Sequence, residues 1–360
     1  MPCPRAKKAA KRWPEPQTFC YARRMIIAFA NRSYRHTLGL LSTLMLGVSA
    51  AWAGGEMNLA AWRLPPVSYP KDNPYSEAKA ELGKVLFFDP RINREGVSCA
   101  QCHHPGMNWS NDQARAQIAG QILPRHTPSL INVAYNRSFF WDGRADTLED
   151  CIKQHFNGMD ISPDARDTVA RIRLIKGYAP LFRKAFGKEA ITEDTIAKAL
   201  ATFVRGITVT DTPFDRWVQG DEHAISDSAK RGFALFTGKA GCVKCHAPPF
   251  FSDFAFHQTG TNSIDPGRAE VTGRKEDRNA FRTPQLRQVA ETAPYMHTGQ
   301  KNSLAEVLRF YQNGGDVRGQ SLQLRAFDLS EQESRDLIAF LRALSGPPIR
   351  IQVPILPRAY

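Results

Sequence analysis

The chain has 360 residues, of which 42% are apolar and 23% are charged, and its net charge is +13. These proportions exclude a disordered or fibrous protein, and the length predicts more than one domain. No run of 18 or more apolar residues lies in the body of the chain, which excludes a polytopic membrane protein.

The N-terminal segment has the composition of a secretory signal. Residues 1–36 are rich in Arg and Lys, residues 37–50 form an apolar core, and Ala-Trp-Ala at 51–53 is a small-x-small cleavage sequence. An apolar core of 14 residues is short for a membrane anchor and favours cleavage. We therefore expect residues 1–53 to be removed and the mature protein to lie in the periplasm. Met25 is an alternative start, because the basic region is long for a bacterial signal.

Most of the positive charge lies in this removable segment. Without residues 1–53 the chain loses nine basic residues and one acidic residue, and its net charge falls to +5. The sequence therefore predicts no binding to nucleic acid and, after cleavage, no stable insertion into a membrane. Five cysteines remain, and four of them form two pairs with identical spacing. A disulfide framework would use an even set.

Apolar residues recur at helical spacing through most of the mature chain. The main predicted helices cover roughly Ser76–Phe88, 147–156, 164–186, 192–209 and Ser330–Leu344. Thr192 is the expected N-cap of the fourth, with acidic residues in its first turn. Residues 104–130 are predicted to be rich in loops, and the helical pattern breaks at 210–226. Strand patterns are sparse, so the predicted fold class is mainly α.

Two similar segments precede the paired cysteines. A Gly-x-x-Leu-Phe sequence occurs at 83–87 and again at 232–236, although the second loop to the cysteines is six residues shorter. This pattern indicates an internal repeat with one unit per domain. We therefore predict an N-terminal domain over residues 54–215 and a C-terminal domain over residues 216–360.

Each of the two repeated segments leads into a Cys-x-x-Cys-His sequence. The residues are Cys99, Cys102 and His103 in the first unit and Cys242, Cys245 and His246 in the second. This is the attachment sequence for c-type haem, in which two thiols add to the porphyrin vinyl groups and the adjacent imidazole binds iron. Zinc or a redox dithiol also uses Cys-x-x-Cys pairs, but neither explains the His that follows both pairs. The sequence therefore predicts two covalently bound haem c groups.

The residues alone leave the sixth iron ligands open. For the second haem, Met296 is the first candidate, because thioether ligation is common in c-type haem proteins. The other candidates in that half are Tyr295, Tyr311, His257 and His297. The first half offers His104, His126, His155, Met107 and Met159. None of these spacings decides the ligand.

Further motifs carry a resemblance to a known family. They are Leu86-Phe-Phe-Asp-Pro90, Thr127-Pro-Ser-Leu-Ile-Asn132, Phe140-Trp-Asp-Gly-Arg144, Phe214-Asp-Arg216, Phe281-Arg-Thr-Pro284-x-Leu-Arg287 and Thr292-Ala-Pro-Tyr-Met-His297-x-Gly299. From about Pro74 to Gly346 the chain resembles the bacterial di-haem cytochrome c peroxidases and the related MauG proteins of methylamine utilisation. The resemblance implies two cytochrome c-like helical domains. It also implies that the N-terminal haem reacts with peroxide and that the C-terminal haem transfers electrons.

The resemblance also implies roles for single residues. Trp141 matches the tryptophan between the haems that serves as the electron bridge. Tyr311 matches the sixth ligand of the second haem, which is methionine in the peroxidases and tyrosine in MauG proteins, and Met296 then becomes the alternative. Asp160 is the nearest match to the distal glutamate that moves protons during peroxide cleavage. No His lies around Ala119, where closed peroxidases have a distal ligand, so we expect an open, high-spin first haem.

Two features depart from the family pattern. The family binds calcium between the domains with an Asn side chain and two carbonyls. Thr292 and Pro294 match the carbonyls, but His126 replaces the Asn, and imidazole is a poor ligand for calcium. The resemblance therefore predicts the calcium site only in part. Cys151 and His155 stand where the family often has Gln and Pro.

Three functions follow from these observations. The first is a MauG-like oxidoreductase that reduces hydrogen peroxide at the N-terminal haem and oxidises an external donor. A protein side chain is one candidate for this donor. The second is a conventional cytochrome c peroxidase that takes electrons from a small cytochrome c or a cupredoxin. The third is a di-haem electron carrier without turnover. Tyr311 favours the first over the second, and an open first haem argues against the third.

Overall fold

The computed structural model describes residues 58–118, 120–158, 164–261, 263–316 and 324–359. The predicted signal, residues 1–53, lies outside these ranges. The α-helices are α1 (Glu77–Phe88), α2 (Cys99–Cys102), α3 (Leu148–Phe156), α4 (Ala165–Leu174), α5 (Tyr178–Phe186), α6 (Glu193–Arg205), α7 (Pro213–Val218), α8 (Asp227–Thr237), α9 (Ala269–Thr272), α10 (Leu304–Gln312) and α11 (Glu331–Ala343). This content confirms the mainly α class.

Strands are few and short in the described ranges. β1 (Gln117–Ile118) pairs with β2 (Gln121–Ile122), and β3 (Phe256–Gln258) pairs with β4 (Ala280–Arg282), both antiparallel. In β3 and β4, His257 lies opposite Phe281. No helix among the described residues has both the length and the apolarity that a membrane span requires.

The helix ends follow from local capping. Ser76, Thr147 and Ser330 cap α1, α3 and α11, each accepting a hydrogen bond from the backbone N–H three residues on. Thr192 caps α6 as predicted and accepts from the Thr195 N–H at 3.2 Å. Capping side chains replace the helix partners that the first N–H groups lack. These starts were therefore visible in the sequence.

Helix α6 ends at Arg205, four residues before its predicted end. Beyond it, the Ile207 carbonyl accepts from the Asn132 N–H at 2.9 Å. The Asn132 side chain also accepts from the Val209 N–H at 2.8 Å and donates to the Val209 carbonyl at 3.0 Å. The residues after Arg205 therefore bond to a distant loop, although their apolar spacing continues the helical pattern.

The single helix predicted over 164–186 is two helices, α4 and α5. The break between them is occupied by the C-terminal segment of the chain. The Gly177 N–H donates to the Arg358 carbonyl at 3.1 Å, and a β-carbon on Gly177 would lie 2.7 Å from Pro357. The glycine therefore allows the distant segment to approach the backbone at this point.

The described residues contain two hydrophobic cores. The first is built mainly from α1, α3, α4, α5 and α6, and the second from α7, α8, α10 and α11. The two ends of the described chain pack on the opposite cores. Trp62 lies in the second core, whereas Ile349, Ile351 and Leu356 pack against the first. The limits at 54–215 and 216–360 stay a prediction for the domains.

The two cores share one construction. Helix α1 packs on α6 in the first core, and α8 packs on α11 in the second. Each pair crosses at the glycine of the repeated Gly-x-x-Leu-Phe sequence, Gly83 or Gly232. Asn132 and Gln288, both with positive φ, then bond to the residues that follow α6 and α11 respectively. The internal repeat is therefore a repeat of tertiary contacts.

Candidate functional site

The first Cys-x-x-Cys-His sequence lies on the short helix α2. Ser98 caps this helix, and the Ser98 N–H donates to Oε1 of Gln101 at 2.7 Å. The turn brings Cys99 and Cys102 to the same cavity. None of the described cysteines is in a disulfide, and burial raises the pKa of the Cys99 thiol to about 12. Both cysteines therefore line the cavity in which thioether bonds to a haem would form.

His103 is held as a neutral imidazole. Burial, and to a smaller extent the charge of the nearby His155, lowers its pKa to about 4. The His103 Nδ1 lies 3.3 Å from the Trp109 carbonyl, to which it donates. This bond fixes the tautomer, so the lone pair on Nε2 is available to a metal.

The cavity beside His103 has a volume of about 950 Å³. One face of α3 forms part of its wall, through Leu148, Cys151, Ile152, His155 and Phe156. The spacing of three and four residues places these side chains on one side of the helix. A volume near 1,000 Å³ is in the upper range of small-molecule sites.

Arg282 is a buried cation in the same cavity wall. Its Nε has no hydrogen-bond partner among the described residues, and its Nη1 donates to the Thr283 carbonyl at 3.3 Å. Burial lowers the pKa of the guanidinium to about 10, against a smaller opposite effect of Cys151. A buried cation requires an anionic partner. The propionates of haem supply such a group, so the two thiols, the neutral imidazole and Arg282 together fit a covalently attached haem.

The second Cys-x-x-Cys-His sequence repeats this arrangement. Nδ1 of His246 lies 2.9 Å from the Phe251 carbonyl, and burial lowers the pKa of the imidazole. Burial also raises the pKa of the Cys242 thiol to about 12. The second site therefore presents a thiol pair and an oriented neutral imidazole, and it fits a haem on the same grounds.

Tyr311 lies on α10 close to the second thiol pair. Burial raises the pKa of its phenol well above the usual range, and the charges of Cys242 and Cys245 raise it further. Met296 belongs instead to the turn in which the Tyr295 and Lys301 backbones bond to each other, and its φ is 71°. Iron ligation by either residue stays a prediction.

His257 lies beside the second cysteine pair. Its Nε2 is 2.7 Å from Oδ2 of Asp253, and their ligand atoms and the Cys245 sulfur lie within 4.8 Å of one another. These three groups have the composition of a metal site. Because Cys245 is the predicted attachment point of haem, we assign its sulfur to the haem.

Trp141 joins the first cavity to the second half of the chain. Its Nε1–H donates to the His126 carbonyl at 2.8 Å, and its own carbonyl accepts from the Arg282 N–H at 2.9 Å. The indole meets the His297 ring edge to face, with centroids 6.4 Å apart. The ring therefore stands where residues of both halves meet, and its role as an electron bridge stays a prediction.

Arg125 is a largely buried residue that the sequence motifs do not single out. It forms ion pairs with Asp142 of the Trp-Asp-Gly-Arg motif and with Asp265 from the second half. Burial opposes its charge, but the bonds to both carboxylates outweigh that effect and raise its pKa. Arg282 was missed as well, although it stands in the Phe-Arg-Thr-Pro sequence. Its position inside that motif is the sequence signal that points to it, whereas its burial is visible only in the structure.

The side chain of His126, at the predicted calcium site, does not fit calcium. Nδ1 of His126 is 2.9 Å from the Gln113 carbonyl and Nε2 is 3.5 Å from Oγ of Ser110, so both ring nitrogens contact protein atoms. Burial lowers the pKa of His126. A neutral imidazole engaged in this way offers calcium no oxygen ligand, and we derive no role for calcium at Thr292 and Pro294.

Three residues of the sequence predictions lie outside the described ranges. They are Ala119, Met159 and Asp160. The predicted acid–base role of Asp160 is therefore untested by the structure. The predicted absence of a histidine ligand around Ala119 is a statement about the sequence alone.

Comparison with known proteins identifies the family. A family model described as di-haem cytochrome c peroxidase matches residues 77–223. The methylamine utilisation protein MauG of Methylorubrum extorquens is 46% identical to this chain, over 88% of this chain and 93% of that protein. A cytochrome-c peroxidase of a Pseudomonas species is 33% identical, over 89% of this chain and 95% of its own length.

A solved structure agrees with these relatives. A MauG-like protein associated with microbial copper homeostasis is 32% identical, with a TM-score of 0.70 over 78% of this chain and 93% of its own. The chain belongs to the di-haem cytochrome c peroxidase and MauG family. It is an oxidoreductase with haem cofactors, and the family implies peroxide as the oxidant and a redox partner as the donor.

Proposed function

We propose that this protein is a periplasmic, MauG-like enzyme that reduces hydrogen peroxide at the His103 site and oxidises an external donor. The observation that carries the proposal is the position of Tyr311, which α10 places beside Cys242 and Cys245. A phenolate is a hard, anionic donor and stabilises oxidised iron more than a thioether does. The 46% identity to a MauG protein supports the same choice. The signal-like residues 1–53 support export to the periplasm.

Covalent attachment holds both haem groups in the proposed enzyme. Cys99 and Cys102 would carry the first, Cys242 and Cys245 would carry the second, and Nε2 of each adjacent histidine would bind the iron. The haem groups supply the iron redox chemistry when bound. The protein fixes the two imidazoles through the Trp109 and Phe251 carbonyls. Arg282 would neutralise a propionate at the first site.

The overall reaction consumes hydrogen peroxide, two protons and two electrons and releases two molecules of water. The electrons come from the external donor, a small redox protein or an oxidisable protein side chain. Trp141 is proposed to connect the two sites, because its ring contacts His297 and lines the first cavity. Asp160 is proposed to move protons at the first site, on the strength of the resemblance alone.

Stopped-flow absorbance of the fully oxidised protein with one equivalent of hydrogen peroxide tests this function. A rapid change of the first haem's Soret band without prior reduction supports the MauG-like enzyme. A reaction that begins only after one haem is reduced contradicts it in favour of a conventional peroxidase, with Met296 as the ligand. If the protein does not react with peroxide either when fully oxidised or when one haem is reduced, the electron carrier is the remaining function. The Tyr311→Met variant, run alongside, is expected to require prior reduction.

A further inference from the structure

The internal repeat extends beyond the haem attachment sequences. In the first half, the Phe139 N–H donates to the Ala145 carbonyl at 2.8 Å, and in the second half the Tyr295 N–H donates to the Lys301 carbonyl at 2.7 Å. Each turn contains a non-glycine residue with positive φ directly after its first position, Phe140 at 64° and Met296 at 71°. The two turns are therefore equivalent.

A capped helix of nine residues follows each turn. Thr147 caps α3 and Ser303 caps α10, and each helix begins with a buried leucine. The next-to-last residue is His155 in α3 and Tyr311 in α10. Both stand 15 residues after the positive-φ residue of the preceding turn. His155 is therefore the counterpart of the residue that is predicted to bind the second iron.

The surroundings of His155 agree with this equivalence. His155 and His103 line the same cavity, and they lie close enough for the charge of one to affect the other. The Phe140 ring packs at a tilt on the His155 ring, with centroids 5.1 Å apart. The Arg144 guanidinium lies 3.5 Å from the centroid of the Phe140 ring. Aromatic packing of this kind holds a side chain in one orientation.

His155 and Tyr311 differ in side-chain length, and this difference predicts different roles for them. A tyrosine oxygen lies further from its backbone than the Nε2 of a histidine does, by more than one bond of about 1.5 Å. If the Tyr311 phenol binds the second iron as predicted, a histidine at the equivalent position would stop short of the first iron. A small molecule would then fit between the imidazole and the metal. His155 is thus placed to bond to such a molecule and not to the iron.

We propose that His155 is a catalytic residue of the first site that hydrogen-bonds to peroxide on the side opposite His103. It accepts the proton of the inner peroxide oxygen and delivers it to the outer oxygen, which leaves as water when the O–O bond breaks. The two electrons come from the haem centres and are restored by the donor, and two protons enter from solvent in the full cycle. This proposal rests on the proposed function and names a residue that acts in it.

Two variants test the role of His155 in the fully oxidised holoprotein. His155→Leu removes both the hydrogen bond and the proton transfer, whereas His155→Gln keeps a hydrogen-bond donor and cannot relay a proton. His223→Gln is the control, because His223 is exposed in the turn before α8. The readouts are the optical spectrum, the rate of cyanide dissociation from the first haem and the rate of reaction with peroxide.

The expected results differ between the variants. In His155→Leu, cyanide dissociates about tenfold faster, as for the loss of one hydrogen bond to a charged ligand. The reaction with peroxide slows roughly 100-fold in both variants, the usual scale of an acid–base group. His155→Gln keeps cyanide dissociation close to that of the parent protein. The control changes neither rate.

Unchanged cyanide and peroxide rates in His155→Leu would overturn the proposal. A low-spin first haem that becomes high-spin in His155→Leu would overturn it too, because His155 would then be an iron ligand. A parent protein inert to peroxide contradicts the proposed function, and the cyanide rates then still decide whether His155 faces the bound ligand. The two failures are therefore distinguishable.

Discussion

Gly83 lies against Ala199 so closely that a β-carbon on the glycine would stand 2.0 Å from the alanine carbonyl oxygen. Gly232 has the same relationship to Asp336 in the second core, where the corresponding distance is also 2.0 Å. In both cores the neighbouring atom is backbone, which cannot swing aside as a long side chain can. The repeated glycine therefore sets the separation of the two helices in each core.

We expect Gly83→Ala to lower the stability of the protein. Alanine is favoured over glycine in a helix by about 1 kcal/mol, but the helices must separate to admit the methyl group. Overpacking of this kind costs about 1–3 kcal/mol or more, so the clash outweighs the propensity. Thermal unfolding of the holoprotein measures the effect, with Ala234→Ser on the exposed face of α8 as the control. An unchanged melting temperature would show that the helices are not held at this contact.

Replacement of Tyr311 is expected to change the second haem alone. Tyr311→Phe removes the phenol oxygen with almost no change in volume, so the optical spectrum of the second haem should shift while the first is unaffected. Tyr311→Met should raise the reduction potential of the second haem, because a thioether favours reduced iron more than a phenolate does. Redox titration followed by absorbance measures both effects. Tyr69→Phe, at a position far in the sequence from Cys242 and Cys245, is the control. Equal reduction potentials of the second haem in all variants would exclude Tyr311 as the ligand.

Loss of the Arg282 charge is expected to lower the reduction potential of the first haem. A buried cation stabilises the more negative, reduced form of the centre, and low effective dielectric strengthens the effect. Arg282→Gln should therefore lower the potential, whereas Arg282→Lys should keep it closer to the parent value. Potentiometric titration of the two haems gives the measurement. A potential that is the same in the Gln and Lys variants would contradict the contact between Arg282 and a propionate.

Removal of calcium is expected to leave this protein unchanged. His126 uses both ring nitrogens within the protein, so the side chain that would complete the site is not an oxygen ligand. Treatment with a calcium chelator should alter neither the optical spectrum nor the rate of reaction with peroxide. Activity that falls with the chelator and returns with added calcium would show that Thr292 and Pro294 bind the ion without an Asn.

The pair formed by Glu149 and Arg205 is expected to make stability depend on pH. Burial alone would raise the pKa of Glu149, but bonds to Arg205 at 2.6 and 2.7 Å and to Asn73 at 2.7 Å outweigh it and hold the pKa below 4.5. The stabilisation is therefore fully present above pH 4.5 and is lost as the pH falls through the lower, folded-state value.

Glu149→Gln tests this dependence. The variant should melt at a lower temperature than the parent protein at pH 7, since it leaves the Arg205 charge buried without its partner. The difference should shrink as the pH falls below 4.5. Glu95→Gln, at an exposed position, should melt like the parent throughout. A difference that stays constant with pH would mean that the ionised carboxylate is not what stabilises the fold.

Much of the fold was predictable because its signals are local. The mainly α class, the starts of α1, α3, α6 and α11, and the repeated glycines all follow from spacing and capping within one segment. The end of α6 and the division of 164–186 into two helices were not predictable in this way. Both depend on backbone bonds to distant segments, at Asn132 and at Arg358.

The candidate site likewise contains some features that local sequence predicts and others that depend on distant segments. Five consecutive residues contain both thiols and the imidazole predicted for each haem, so the sequence alone singles out Cys99, Cys102 and His103 and their counterparts in the second half. The equivalence of His155 and Tyr311 became visible only when the turns and helices that carry them were compared. Periodicity in one segment carries no information on which side of a cavity a helix will face.

The sequence by itself therefore determined the class of cofactor, which is haem, and predicted two attachment sites, because covalent haem attachment requires its groups within one helical turn. Only the tertiary structure decided that Arg282 is buried without a carboxylate partner among the described residues. It also decided that Trp141 meets His297 and that the two ends of the described chain cross to opposite cores. These relationships join residues far apart in sequence. They arise from burial and packing of the whole chain, which no local pattern encodes.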